Sequence, residues 1–188
     1  MVSRYWHMFR LYTIKSPMKR AQYMKKHGIF HSMGDRVMIT SRKIPLYGKL
    51  ISIGDNVWMA SGVEFILHDV THYMLNGRKD GHHYTEKIGC IEIGDNVFIG
   101  AGARILYDVK VGNNVIIAAG ALVNKDVPDN SVVGGVPARV ISTFDQYLAK
   151  RVTFTVEHPA CNEKQQISPE CEAEMWFRFY ETRKNIEH

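Results

Sequence analysis

Residues 93–127 read IGDNVFIGAGARILYDVKVGNNVIIAAGALVNKDV, and an aliphatic residue returns there at every sixth position: Ile93, Ile99, Ile105, Val111, Ile117 and Val123. A second small apolar series follows four residues behind each, at Val97, Ala103, Val109, Val115, Ala121 and Val127. A period of six is a multiple of two and not of 3.6, so strands keep these residues on one face whereas a helix scatters them. Glycines at 94, 100 and 112 and the pairs Asp95-Asn96 and Asn113-Asn114 tolerate positive φ, which puts a tight corner inside each repeat. Short strands joined by corners make a coil. Stacked coils bury a column of aliphatic side chains that no single repeat could bury, so the expected fold class is an all-β solenoid, a parallel β-helix of hexapeptide repeats.

The register recurs upstream at Ile53, Met59 and Phe65, opening with IGDNVW as the later block opens with IGDNVF. A fainter coil holds the spacing at Met33 and Ile39 before Pro45 and Gly48 break it. Between the two blocks, residues 68–92 interrupt the repeat and carry His68, His72, His82 and His83. An insertion of that length inside a compact domain is expected to be either functional or disordered.

The segments IGDNVFIGAGARIL, VGNNVIIAAGALVNKDVPDNSVVGGVPARVI and FILHD resemble the hexapeptide-repeat acyltransferases, the superfamily of galactoside, maltose, xenobiotic and polysaccharide O-acetyltransferases. The likeness runs from about Met33 to Ser142 and is most specific in the closing block from Asn124 to Ile141. It implies a left-handed helix with three coil faces, a homotrimer, and acetyl-CoA as co-substrate with no metal. Left-handedness comes from the resemblance alone, since crossovers between parallel strands ordinarily turn right-handed.

The implied reaction moves an acetyl group from a thioester to a hydroxyl of a sugar or glycan. That chemistry needs a base for the acceptor's proton and donors for a developing oxyanion. Histidine suits the first role near neutral pH. His68 and His72 are the candidates in FILHDVTHYM, and the resemblance selects His68 as the catalytic base. Asp69 is a candidate to hold the imidazole or contact the acceptor, with Glu86 as the alternative carboxylate, while His82 and His83 fall at the loop tip. His72 and Phe98 complete the acceptor and acyl side. The resemblance lays the pantetheine arm beside Ala101 and Ala119 and gives the rest of coenzyme A to Asn124, Lys125 and Arg139. Related sugar acetyltransferases often carry serine at the position of Ala101 and threonine at that of Asn124, so contacts there fall to the backbone.

Other readings share the coil. The acceptor could be an antibiotic or an amino sugar. A zinc hydratase of the carbonic anhydrase type would need three histidines converging on one metal, yet no histidine lies between His83 and His158. A non-catalytic assembly subunit would be expected to lack the loop histidine and the Lys125 region, and this chain has both.

The 188 residues, 45% of them hydrophobic, suit one domain with a sizeable core. The first thirty-four hold Arg4, Arg10, Lys15, Lys19, Arg20, Lys25 and Lys26 and no acid, so seven of the charges behind a net +5 are local and the remainder sums to −2. Aromatics and methionines interleave with them, which predicts a helical extension over 1–30 capping the first coil of a 31–142 body. A weak contact with a membrane surface or an anionic glycan is the alternative use of that charge; nucleic acid is not expected. The three cysteines, Cys90, Cys161 and Cys171, show no CxxC pairing and are read as free buried thiols in a reducing, cytoplasmic setting. The segment 143–188 is expected to be a helical extension, with a short helix at FDQYLAKR and another begun by Ser168-Pro169-Glu170 that packs Met175, Trp176 and Phe179.

Overall fold

The computed structural model describes residues 4–157 and 167–184. Two compact units divide it, Met1–Phe144 and Asp145–His188. In the first, helices α1 (Arg4–Thr13) and α2 (Pro17–Lys26) lead into strands β1 (Ser32–Met33), β2 (Met38–Ile39), β3 (Ile51–Ile53), β4 (Val57–Met59) and β5 (Glu64–Ile66). The insertion contains β6 (His68–Asp69), helix α3 (Thr71–Gly77) and β7 (Lys87–Ile88). The second block gives β8 (Ile91–Ile93), β9 (Val97–Ile99), β10 (Arg104–Leu106), β11 (Val109–Val111), β12 (Val115–Ile117), β13 (Leu122–Val123), β14 (Ser131–Gly134) and β15 (Arg139–Thr143).

From β3 to β13, leaving out the insertion, the chain visits three sheets in a repeating order. The first has the order β1-β3-β8-β11, the second β15-β14-β12-β9-β4-β2 and the third β13-β10-β5. Every pairing in them is parallel except β14 with β15. The six-residue period is the register itself. Ile53, Ile93 and Val111 are partners on the first face, Met59, Ile99, Ile117 and Val133 on the second, and Phe65, Ile105 and Val123 on the third. All of these but the partly buried Phe65 lie in the core. Fully burying such side chains stabilises the fold by about 1.5–3 kcal/mol each.

The corner between the first and second faces explains the GDN repeats. Asn56, Asn96, Asn114 and Asn130 all have φ between 54° and 56°, a left-handed conformation asparagine tolerates well. Their amides form a ladder: Asn56 Nδ2 donates to Asn96 Oδ1 at 2.9 Å, Asn96 to Asn114 at 3.0 Å, and Asn114 to Asn130 at 2.8 Å. A second ladder runs beside it, with the backbone amides of Asp35, Asp55, Asp95 and Asn113 each donating to a side-chain oxygen of the next coil.

Helix α2 packs against β2, but one of its cations is not on a solvated face. Arg20 is 2% exposed. Its guanidinium donates to the carbonyls of Ile14, Lys15, Ile39 and Thr40 at 2.8–3.2 Å, joining the α1–α2 connection to the chain after β2. Burial holds its pKa below the ordinary arginine value.

The insertion is also more ordered than a plain loop, with α3 framed by the antiparallel pair β6–β7. Asn76 ties its two arms, donating to the Tyr84 carbonyl and accepting from the Tyr84 amide, both at 2.8 Å. Cys90, read as buried, is exposed; Cys171 is buried, and Cys161 lies outside the described residues. In the second unit, α4 (Phe144–Glu157) is longer than its FDQYLAKR start, and α5 (Pro169–Lys184) begins as expected, Ser168 Oγ accepting from the Cys171 amide. Trp176 and Phe179 pack edge to face at 5.5 Å, and both remain over 40% exposed.

Candidate active site

His68 leaves the coil with almost no intervening chain. Leu67, one residue earlier, is fully buried, and its carbonyl accepts from the Gly89 amide at 3.0 Å, closing the insertion at its base. His68 then pairs with Ile88 and Asp69 with Lys87 across β6–β7. The half-buried imidazole meets the edge of the Tyr47 ring, centroids 5.2 Å apart and planes perpendicular. Tyr47 is fixed in turn, its hydroxyl donating to Glu86 Oε2 at 2.7 Å. That bond, with burial, raises the phenol's pKa above its ordinary value, so it stays protonated as a donor. Glu86 therefore reaches His68 through Tyr47.

The Asp69 carboxylate is engaged elsewhere. Oδ1 accepts from the Thr71 amide at 3.1 Å and the Thr71 hydroxyl at 2.6 Å, and Oδ2 accepts from the Tyr107 hydroxyl at 3.1 Å. The Thr71 hydroxyl and then the Thr71 amide hold its pKa below the usual carboxylate value, against an opposing effect of burial and with lesser help from Tyr107 and Lys87. Lys87 Nζ lies over the Tyr107 ring, 4.8 Å from its centroid. His72 lies in the first turn of α3, its ring 4.1 Å from that of Tyr73. Its Nδ1 is shielded from solvent without a hydrogen-bond partner among the described residues. His82 and His83 are exposed.

The other candidates lie on different edges of the coil. His68, Tyr107 and the Asn124-Lys125 pair each follow a strand of the third face, β5, β10 and β13, and so share one edge. Ala101 and Ala119 precede strands of that same face and stack at its other edge, Gly120 N donating to Ala101 O at 2.8 Å. This edge is open outward and tight inward. A Cβ on Gly102 or Gly120, both at φ 70°, would meet nothing within 4 Å, whereas one on Gly100 would collide with the Ala119 backbone. No described hydrogen bond uses the amides of Ala101 and Ala119. Asn124, Lys125 and Arg139 together border a cavity of about 270 Å³.

Phe98 sits mid-strand in β9 on the second face, in register with Trp58 and Ile116 and not in a corner. Trp58 and Phe98 form an outward aromatic pair on successive coils. In a three-sided coil this face lies opposite the edge that carries His68. A hollow of about 720 Å³ is bordered by Tyr47 and by Ile88, the strand partner of His68; Arg4, His7, His27 and Lys49 line it, and among the described residues no carboxylate does. Among the described residues no three His, Cys, Asp or Glu side chains are grouped to hold a metal ion.

Tyr47, Tyr107 and Trp58 escaped the sequence reading. Tyr47 lies where Pro45 and Gly48 break the repeat. Tyr107 follows Leu106 at the corner that Leu67-His68 occupies one coil away. Trp58 carried a usable signal, because it holds in IGDNVW the place of Phe98 in IGDNVF.

Residues 90–125 match the family model described as bacterial transferase hexapeptide (six repeats). Within those residues the chain carries the hexapeptide repeat that this model describes. Protein CapG of Staphylococcus aureus is 46% identical over 101 residues, 54% of this chain and 57% of that protein. Galactoside O-acetyltransferase of Escherichia coli K12 is 43% identical over 93 residues, covering 48% and 43%. The chain thus spans about half the length of the curated relatives it matches. A solved galactoside acetyltransferase in complex with coenzyme A superimposes with a TM-score of 0.53 at 25% identity, covering 76% of this chain and 80% of that one.

Proposed function

We propose that this chain is an acetyl-CoA-dependent O-acetyltransferase acting on a hydroxyl of a sugar or glycan, with His68 as general base. The observation that carries the reading is the third face of the coil: a fixed imidazole and the Asn124-Lys125 pair along one edge, and an open groove of alanines and glycines along the other. A relative named galactoside O-acetyltransferase, and a solved galactoside acetyltransferase in complex with coenzyme A, support it.

In this reading acetyl-CoA supplies the acyl group as a thioester. The amides of Ala101 and Ala119 donate to the pantetheine arm, and Asn124, Lys125 and Arg139, which border a cavity of their own, take the remainder of the cofactor, the two cations holding its phosphates. The acceptor enters by the hollow beside Tyr47, and His68 takes the hydroxyl proton as the oxygen attacks the thioester carbonyl; the C–S bond then breaks and the proton passes to the departing coenzyme A sulfur. Acceptor and acetyl-CoA react in one ternary complex without a covalent acyl-enzyme. Phe98, on the face opposite His68, walls the acyl site of a neighbouring copy, so the active form is a homotrimer of left-handed coils. Residues 31–142 form the catalytic body with 68–92 as its insertion, 1–30 covers one end, and 143–188 is an appended helical segment.

The test is an acceptor screen. Acetyl-CoA is offered with panels of sugars, amino sugars and hydroxylated antibiotics, and free thiol release is read. Transfer to a sugar hydroxyl is the expected result. Acetylation confined to amines or antibiotics would contradict the acceptor class, and no acceptor-dependent thiol release would contradict the activity.

A further inference from the structure

Helix α1 has two faces of different character. His7 and Leu11 are buried against the rest of the unit and Met8 packs on the core. On the opposite side Tyr5, Trp6, Phe9 and Tyr12 are 53–75% exposed. At helical spacing Tyr5, Phe9 and Tyr12 form one stripe, with Trp6 on its flank and its ring 5.8 Å from that of Phe9. Four large aromatic residues facing outward on a helix of ten is not the polar surface a capping helix needs.

The charge beside this stripe is predominantly positive, and Glu64, which borders a hollow with Tyr12, Arg42 and Lys43, is paired with Arg104 at 3.1 Å. Arg10, Lys15, Lys19 and Lys43 are exposed, Arg42 sits 6.0 Å from the Tyr12 ring centroid, and no acid occurs in the first thirty-four residues. Tyrosine and tryptophan favour the boundary between lipid headgroups and acyl chains, and lysine and arginine are drawn to anionic headgroups. The helix, about 15 Å long, would lie in that boundary; among the described residues no helix is long and apolar enough to cross a membrane.

We propose that the outward face of α1 docks this protein on a membrane surface rich in anionic lipid. The aromatic stripe enters the headgroup layer, and Arg10, Lys15, Lys19, Arg42 and Lys43 hold the surrounding phosphates. One short helix gives reversible attachment. None of these residues belongs to the proposed catalytic set, so attachment and acetyl transfer are separable.

Flotation of the full chain with vesicles of phosphatidylcholine, alone or mixed with phosphatidylglycerol, tests this. The protein should float with the anionic vesicles only, release in high salt, and show a blue-shifted tryptophan emission that Trp6→Phe removes. Tyr5→Ser combined with Phe9→Ser should weaken association at least about tenfold with an unchanged melting temperature. Should that pair disturb folding, Arg10→Glu with Lys15→Glu must produce the same loss. No association with anionic vesicles at low salt would overturn the proposal. Undiminished binding by the Tyr5/Phe9 variant would also overturn it, leaving a charge-only contact such as an acidic glycan. A fall of that variant to a smaller species in sedimentation would instead make the stripe an interface between copies.

Discussion

The Tyr47 ring meets His68 edge-on while its hydroxyl donates to Glu86, so two substitutions separate packing from hydrogen bonding. Tyr47→Phe keeps the ring and removes a bond of net value about 0.5–1.5 kcal/mol, which corresponds to roughly a two- to tenfold fall in kcat if that bond fixes the imidazole. Tyr47→Ala removes both and should fall further, while acetyl-CoA affinity stays constant in each. Steady-state kinetics beside calorimetric acetyl-CoA titration check this; normal kcat in Tyr47→Ala would remove Tyr47 from the account. Lys125 and Arg139 should behave oppositely. In the proposed reading they contact cofactor phosphates remote from the reacting carbonyl, which contribute alike to ground and transition states, so alanine at either should raise KM for acetyl-CoA with kcat largely kept. Unchanged affinity with lost turnover would displace the phosphates from this cavity. His68 was legible because its position relative to Leu67 and the coil is local in sequence. Its support was not, since Tyr47 and Glu86 are thirty-nine residues apart and come together only when the insertion folds back on the segment before β3.

Among elements, the asparagine ladder gives the clearest stability test. Asn96 donates to Asn114, accepts from Asn56, and sits at φ 56°. Asn96→Ala should destabilise by about 1–3 kcal/mol, combining the left-handed strain of a β-carbon without a local hydrogen bond with two lost exposed bonds. Asn96→Gly relieves the strain and loses only the bonds, so urea unfolding should place it between wild type and alanine. Equal losses would mean that φ contributes nothing. The repeat announced this corner, since glycine, aspartate and asparagine recur in register; it did not announce that neighbouring coils share side-chain bonds. Helix α1 supplies a pH test. His7 is buried with Nδ1 2.9 Å from the Tyr23 hydroxyl, and burial, then the charge of His27, lowers its pKa from 6.5. A lowered histidine pKa means that the unfolded chain takes up a proton first, so stability is fully present above about pH 6.5 and falls below it. Melting temperature should decline from pH 7.5 to 5.5, with a shallower slope in His7→Gln. Equal slopes would show that His7 does not titrate differently on folding. Its partner Tyr23 lies sixteen residues on, on the next helix, which is why the sequence read as a basic, aromatic segment and nothing finer.

For the whole molecule, the cyclic order of three faces decides what one copy can do alone. His68 and Phe98 lie on opposite sides of the coil. Deep clefts in such a body arise by pairing copies, so sedimentation at micromolar concentration should give a trimer, and a monomer would contradict the shared site. The most direct measurement of the central claim is turnover of His68→Ala at saturating acetyl-CoA with the best acceptor from the screen, beside His72→Ala and wild type. A positioned general base contributes about 10²- to 10⁴-fold. With His68 as the base, kcat of His68→Ala should fall by that factor while trimer mass, melting temperature and acetyl-CoA affinity are retained, and His72→Ala should keep most of its turnover. Near-normal kcat in His68→Ala would contradict that role.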